Sequence, residues 1–196
     1  MIIGDNMKNL IFDLGGVVLS GDPSSVLDKL NLNDEDKLLI NKLFFYDFSK
    51  LDLGLESLLD HYNNCNFNFD DKVKDELIHY YLYRSYNMEV IDLINKYKDL
   101  YNIYILSDNN KEAISYLKDK FRFVKGWIIS CDYGSLKRDG KLFDILLDKY
   151  HIKAEESLFI DDNIININKG KEKNFNTFLF NDNAGELSNY LNSVNK

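Results

Sequence analysis

Proline and cysteine are scarce in this chain of 196 residues, which carries one proline, Pro23, and two cysteines, Cys65 and Cys131. Two cysteines without metal-type spacing exclude a disulfide framework and a thiolate metal site, and the expectation is reduced, buried thiols. Long apolar runs are missing too. No stretch approaches the roughly 20 residues that cross a bilayer, and the N-terminal MIIGDNMKN lacks the apolar core of a secretory signal. A cytoplasmic protein with no membrane partner is expected. Positive charge is in deficit, 24 Lys and Arg against 32 Asp and Glu, for a net charge of −8 and a pI near 4.9. With no basic face to neutralise a phosphate backbone, nucleic acid is excluded as a partner. Internal repeats and low-complexity linkers are also absent.

What is present is ordinary globular composition, 45% hydrophobic and 29% charged, enough for one compact domain with an insertion. Five short apolar runs read as buried strands, because they are continuous and rich in β-branched or aromatic residues. They are LIF before Asp13, IYIL before Ser107, GWIIS up to Ser130, LFI before Asp161 and TFLF before Asn181. Helix-length segments separate the last four, and AGELSNYLNSV supplies a closing helix. That alternation predicts an α/β fold, a Rossmann-like parallel sheet flanked by helices. Residues 22–86 break the rhythm with helix signals only: Asp22 capping with Pro23 in the first turn, Asn33 before DEDKLLINKLFF, and Asp70 before DKVKDELIHYYLY. A small all-helical cap is therefore expected after the first strand, over 22–86, with 1–21 and 87–196 forming the core. NNCNFNFDD reads as a loop between two of its helices.

Three runs end alike. Asp13, Ser107 and the pair Asp161 and Asp162 stand where buried parallel strands give out, and the crevice beyond those carboxyl ends is where open α/β sheets bind ligands. Taken singly, each could be a cap at a strand-to-helix turn; three together point to convergence. Carboxylates brought to about 4 Å repel by about 4 kcal/mol per pair at an effective dielectric near 20, so the cluster requires a cation or a proton. A hard divalent ion suits oxygen ligands, and Mg2+ uses one or two carboxylates with water and phosphate oxygens. No His or Cys partner suggests zinc. His61, His79 and His151 read as surface or packing residues.

These segments, in order, resemble the haloacid dehalogenase superfamily of aspartyl-phosphate-forming phosphatases. FDLGGVV resembles its first motif with Asp13 as nucleophile, IYILSDN its second with Ser107 binding phosphate, GSLKRDGKLFD its third with Lys137, and LFIDDNIININ its fourth with Asp161, Asp162 and Asn166. The insertion resembles the small helical cap of one branch, and YDFSKLDLGLES a stretch common in phosphatases similar to the N-terminal domain of soluble epoxide hydrolase and to glucose-1-phosphate phosphatases; from the residues alone it is a helix N-terminus with Gly54 in a tight turn. The resemblance implies that Asp13 attacks phosphorus, that Ser107, Asp108 and Lys137 surround the phosphate, and that Mg2+ is held by Asp13, the Gly15 carbonyl and Asp162, with Asp161 sharing the ion or reaching it through water. Asn166 would orient the loop.

The pattern is departed from in three places. Gly15 stands where relatives often carry a second Asp that protonates the leaving group, help worth roughly 10²–10⁴-fold. Asp108 replaces a common Asn, and Arg138 and Gly140 replace the prolines of the Lys137 loop. The leading expectation is a Mg2+-dependent hydrolase of a small-molecule phosphate ester, with a sugar phosphate foremost. The alternatives are a non-catalytic phosphate-ligand or partner-binding protein, motivated by Gly15 and Asp108, and a haloacid dehalogenase, whose attack on carbon needs no metal.

Overall fold

The computed structural model describes residues 7–194. The stretch read for a secretory signal lies mostly outside the described residues, as do the first six residues of the expected core. Five strands form one parallel sheet: β1 (Asn9–Phe12), β2 (Asn102–Ser107), β3 (Gly126–Ile129), β4 (Ser157–Asp161) and β5 (Asn176–Leu179), ordered β3-β2-β1-β4-β5. Each coincides with an apolar run of the sequence; the third stops one residue early, because Ser130 opens a helical turn, α8 (Ser130–Tyr133). Pairing sets Phe12 opposite Ile105 of β2 and Ile160 of β4, which leaves Asp13 central among the strand ends. From β1 the chain builds outward through β2 and β3, then crosses to the other side for β4 and β5. The switch point of the topology thus falls between β1 and β4, where such sheets open a ligand crevice.

Side chains alternate across the sheet, as the strand period of two requires. Leu10, Phe12, Ile103, Ile105, Leu158 and Ile160 face one layer of helices, α6 (Met88–Tyr97), α7 (Lys111–Lys120) and α11 (Ala184–Val194), while Ile11, Tyr104, Leu106 and Phe159 face α9 (Lys141–Tyr150) and α10 (Ile164–Glu172). Both faces are covered, so the strands carry no polar face. Burial of this kind stabilises by about 1.5–3 kcal/mol per large apolar side chain.

Between β1 and α6 the named elements are all helices: α1 (Ser24–Leu27), α2 (Asp34–Leu43), α3 (Ser49–Asp52), α4 (Leu58–Asn64) and α5 (Asp71–Leu82). Asn33 and Asp70 accept the backbone N–H groups of Asp36 and Val73, the capping expected of them. Asp22 takes the Ser24 N–H, so α1 starts one residue past the expected place and lasts a single turn. Ser57 and Asp60 close a capping box on α4, which absorbs Asn63 and Asn64 from the expected loop. Phe44 centres this layer, edge-on to Phe45, Phe48 and Tyr62, and His61 bonds the Phe44 carbonyl and Glu56. The ends of the excursion run side by side: Ser20 N–H donates to the Ser85 carbonyl and Asn87 N–H to that of Val18. Cys65 and Cys131 are free, and half-buried rather than buried, since both sit at helix margins. Among the described residues no helix is long and apolar enough to cross a membrane.

Candidate active site

Asp13 follows β1 directly and is 6% exposed. Its Oδ1 accepts the Leu14 N–H at 2.7 Å, and its Oδ2 meets Lys137 Nζ at 2.8 Å. Asp161, at the end of β4 and wholly buried, takes the same ammonium on Oδ2 at 2.6 Å, the Asn163 N–H on Oδ1 at 2.7 Å, and Asn166 Nδ2 at 3.2 Å on each oxygen. Lys137 comes from a 3-10 turn, Lys137–Asp139, whose Leu136 N–H is tied to Asp139. The replaced prolines therefore do not leave this loop open: Asp139 and the left-handed Gly140 close it. One buried cation bridges two buried carboxylates, which is how such charges are tolerated out of water.

Asp162 is the open member of the cluster; Asp13, Asp161 and Asp162 each offer an oxygen within 4.8 Å of the others. Gly16 makes this possible. It sits at φ +72°, and a Cβ there would lie 2.0 Å from Asp162 Oδ2, so only glycine suits both the left-handed turn and the carboxylate. Burial raises the Asp13 carboxyl to about 7 against the opposing pull of Lys137, with Asp161 adding to the rise. Burial and then Asp161 raise Asp162 as well. Burial alone would lower Lys137, but Asp13 and Asp161 outweigh it and hold the ammonium charged. Three carboxylates against one ammonium leave the cluster short of positive charge, and an all-oxygen donor set of this size fits a hard divalent cation.

Asp108 lines the cleft, and its Oδ1 accepts the Lys137 N–H at 2.9 Å, which ties it to the lysine loop. Burial raises its carboxyl. Ser107 lies behind the cleft wall, fully buried, with its hydroxyl 3.5 Å from the Asp108 carbonyl. Gly15 contributes backbone to the cleft; the space a Cβ would enter faces Arg84 Nη1 at 3.3 Å.

The cleft, about 240 Å³, is completed by side chains of the helical insertion that the sequence reading did not single out as site residues: Phe48, Asp52, Tyr81 and Arg84. Only the LDLG stretch gave any signal for one of them, Asp52. Phe48, Tyr81 and Arg84 also wall an adjoining cavity of about 330 Å³ with Phe45, Tyr46 and Tyr80. A larger hollow of about 740 Å³ touches Asp162 from the other side, but its charged walls are Asp22, Glu89, Asp162 and Asp182. That hollow has no basic side chain in its wall, whereas the cleft sets Lys137 and Arg84 beside its carboxyls, so a divalent cation added there would tip the balance toward a phosphate.

No protein-family model matches the chain. It is 26% identical over 190 residues to a D-ribitol-5-phosphate phosphatase of Bacteroides thetaiotaomicron, covering 88% of this chain and 91% of that one. Among solved structures, a haloacid dehalogenase family enzyme of Bacteroides thetaiotaomicron superposes with a TM-score of 0.73 at 22% identity, over 95% of this chain and 98% of the other. A structure of that enzyme with magnesium and inorganic phosphate gives 0.68 at 21% identity, over 91% and 96%. The fold of this chain is that of haloacid dehalogenase family enzymes.

Proposed function

We propose that the chain is a Mg2+-dependent phosphomonoester hydrolase that works through an aspartyl phosphate on Asp13 and acts on a small phosphorylated metabolite, a sugar or polyol phosphate foremost. The observation that carries this reading is Lys137 Nζ lodged between Asp13 and Asp161 at the switch point, with Asp162 open beside them. Asp13, Asp161, Asp162 and the Gly15 carbonyl would hold the metal. Bound there, the ion supplies positive charge toward both the carboxylates and the phosphate oxygens.

The protein's own groups do the rest. Leu14 N–H and Lys137 fix the Asp13 carboxylate in one orientation, so the nucleophile meets phosphorus prepaid in entropy. Attack by Asp13 splits one hard displacement into two easier ones. Lys137 keeps its proton throughout and offsets charge on nucleophile and phosphoryl group alike. Residues 22–86 act as the cap, with the rest as core, and the aromatic cavity beside Arg84 receives the body of the substrate. Its size suits a small metabolite, and tyrosine walls suit hydroxyl-bearing groups. The likeness to a D-ribitol-5-phosphate phosphatase supports the same substrate class. The free thiols suit a reducing compartment, and we place the protein in the cytoplasm. Dehalogenation is disfavoured, because attack on carbon gives three clustered carboxylates no task.

The test is phosphate release from a panel of phosphorylated sugars and polyols, with Mg2+ and with chelator. Turnover that chelator abolishes is expected; metal binding without turnover of any ester would turn the reading toward a non-catalytic phosphate binder.

A further inference from the structure

Gly15 has no side chain to protonate a leaving group, and the group that faces its vacant side is the Arg84 guanidinium. Arg84 Nε is buried without a hydrogen-bond partner, and the guanidinium stacks 5.2 Å over the Tyr81 ring. An arginine can pair with a leaving oxygen but cannot give up a proton near neutrality. The proton has to come from another group in the same cleft. Of the carboxyls lining it, Asp13 and Asp162 belong to the acidic cluster and Asp108 is engaged by the Lys137 N–H. Asp52 remains. Its carboxyl makes no hydrogen bond among the described residues, while its backbone is held firmly: the Asp52 carbonyl accepts the Ser130 hydroxyl at 2.5 Å, and that hydroxyl also takes the Asn109 N–H at 2.9 Å. Gly54, two residues on, turns at φ +73° against Cys131. The LDLG stretch is thus clamped to the core by its backbone, with the Asp52 carboxyl in the cleft that Asp13 also lines.

We propose that Asp52 is the proton donor to the leaving group, taking the part that Gly15 cannot, with Arg84 positioning the leaving oxygen. The inference rests on the phosphatase reading. Asp13 Oδ attacks phosphorus; the bond from phosphorus to the ester oxygen breaks with its electron pair on oxygen; that oxygen takes the Asp52 proton and leaves as the alcohol. Water then attacks the phosphorus of the acyl phosphate and gives its proton to the Asp52 carboxylate, Asp13 is expelled as carboxylate, and phosphate departs. Asp52 ends protonated, as it began. The groups that face it are Asp13, Tyr81, Arg84, Asp108, Cys131 and Lys137. Burial, then Asp108, raises its carboxyl to about 7 with Arg84 and Lys137 opposing, so both forms are accessible near neutrality.

Asp52→Asn, compared with wild type on 4-nitrophenyl phosphate and on the alkyl phosphate that turns over fastest in the panel, tests this. Nitrophenolate leaves unaided and an alkoxide does not. A 10²–10⁴-fold fall in kcat on the alkyl ester, with less than about a tenfold fall on the aryl ester, is expected, together with loss of the wild-type decline in kcat/KM above about pH 7. Asp52→Glu should recover part of the alkyl activity, and circular dichroism checks that each variant folds. Equal losses on both esters, or none on the alkyl ester, overturn the assignment. Wild-type protein that hydrolyses neither ester with Mg2+ removes the phosphatase reading, and this inference with it.

Discussion

Lys137 is the residue on which the site's electrostatics turn, and its contribution to folding can be separated from any contribution to turnover. It is 1% exposed and touches two carboxylates. Removing one member of a buried ionic group leaves uncompensated charge and costs about 3–5 kcal/mol. Lys137→Met should lose that much in urea unfolding at pH 8 without metal and recover part of it with Mg2+. A change under about 1 kcal/mol would mean that water already reaches the pair. Asp52 gives the opposite sign. Its carboxyl has an ordinary value of 3.8 and a folded value of about 7, so between those limits the folded protein holds more proton than the unfolded chain, and stability falls as pH rises. In metal-free protein, Asp52→Asn should therefore gain stability relative to wild type from about pH 4 to about pH 7, with a constant difference above. An unchanged difference across that window would place the Asp52 carboxyl in water. Asp13, Ser107, Lys137 and Asp161 could be found in the sequence because strand ends and motif order mark them. Arg84 could not, because nothing in RSYN says that its side chain faces Gly15 across about 70 residues of chain.

At the level of elements, strands and caps were legible where one physical signal dominated. The apolar runs IYIL and LFI have no polar face and fit only a doubly covered sheet; Asn33 and Asp70 stand where first-turn N–H groups need acceptors. Of α3 the sequence shows only a helix N-terminus before Gly54, and it does not show the bounds of α3 or α4, which at four and seven residues are too short for a helical period to rise above chance. The edge strand β3 shows how a single side chain finishes an element. The Tyr150 hydroxyl accepts the Trp127 N–H at 2.9 Å and donates to the Trp127 carbonyl at 3.2 Å, covering backbone that would otherwise be an open edge. Gly126 leaves room for that ring, since a Cβ there would lie 2.1 Å from it. Tyr150→Phe should cost about 1 kcal/mol in denaturant unfolding, and Gly126→Val considerably more. Equal, negligible effects would mean that the ring does not seal the edge.

For the whole molecule, the decisive feature is topology: crossing from β3 to β4 places Asp13 and Asp161 on adjacent strands at the switch point, although 147 residues separate the two in sequence. The helical insertion then closes the cleft from above with Phe48, Asp52, Tyr81 and Arg84. Its helical nature was legible, but the face it turns to the core is a product of tertiary packing and was not. An acidic cluster completed by a cation predicts linkage between metal and stability. At a hundredfold excess over Kd, Mg2+ should stabilise by about 2.7 kcal/mol, or about 5–10 °C in Tm for a chain of this size. Chelator should reverse the shift and Asp162→Asn should remove most of it; an equal shift in that variant would place the ion elsewhere.

Whether Asp13 takes the phosphoryl group is decided by trapping the acyl phosphate. Protein mixed with Mg2+ and a turned-over phosphate ester, quenched in acid, reduced with borohydride and digested, should show residue 13 converted to homoserine, because borohydride reduces an acyl phosphate but not a free carboxylate. Asp13→Asn should show neither conversion nor hydrolysis while keeping the wild-type circular dichroism. Phosphate release with Asp13 unconverted in wild type, or continued hydrolysis by Asp13→Asn, would contradict the account.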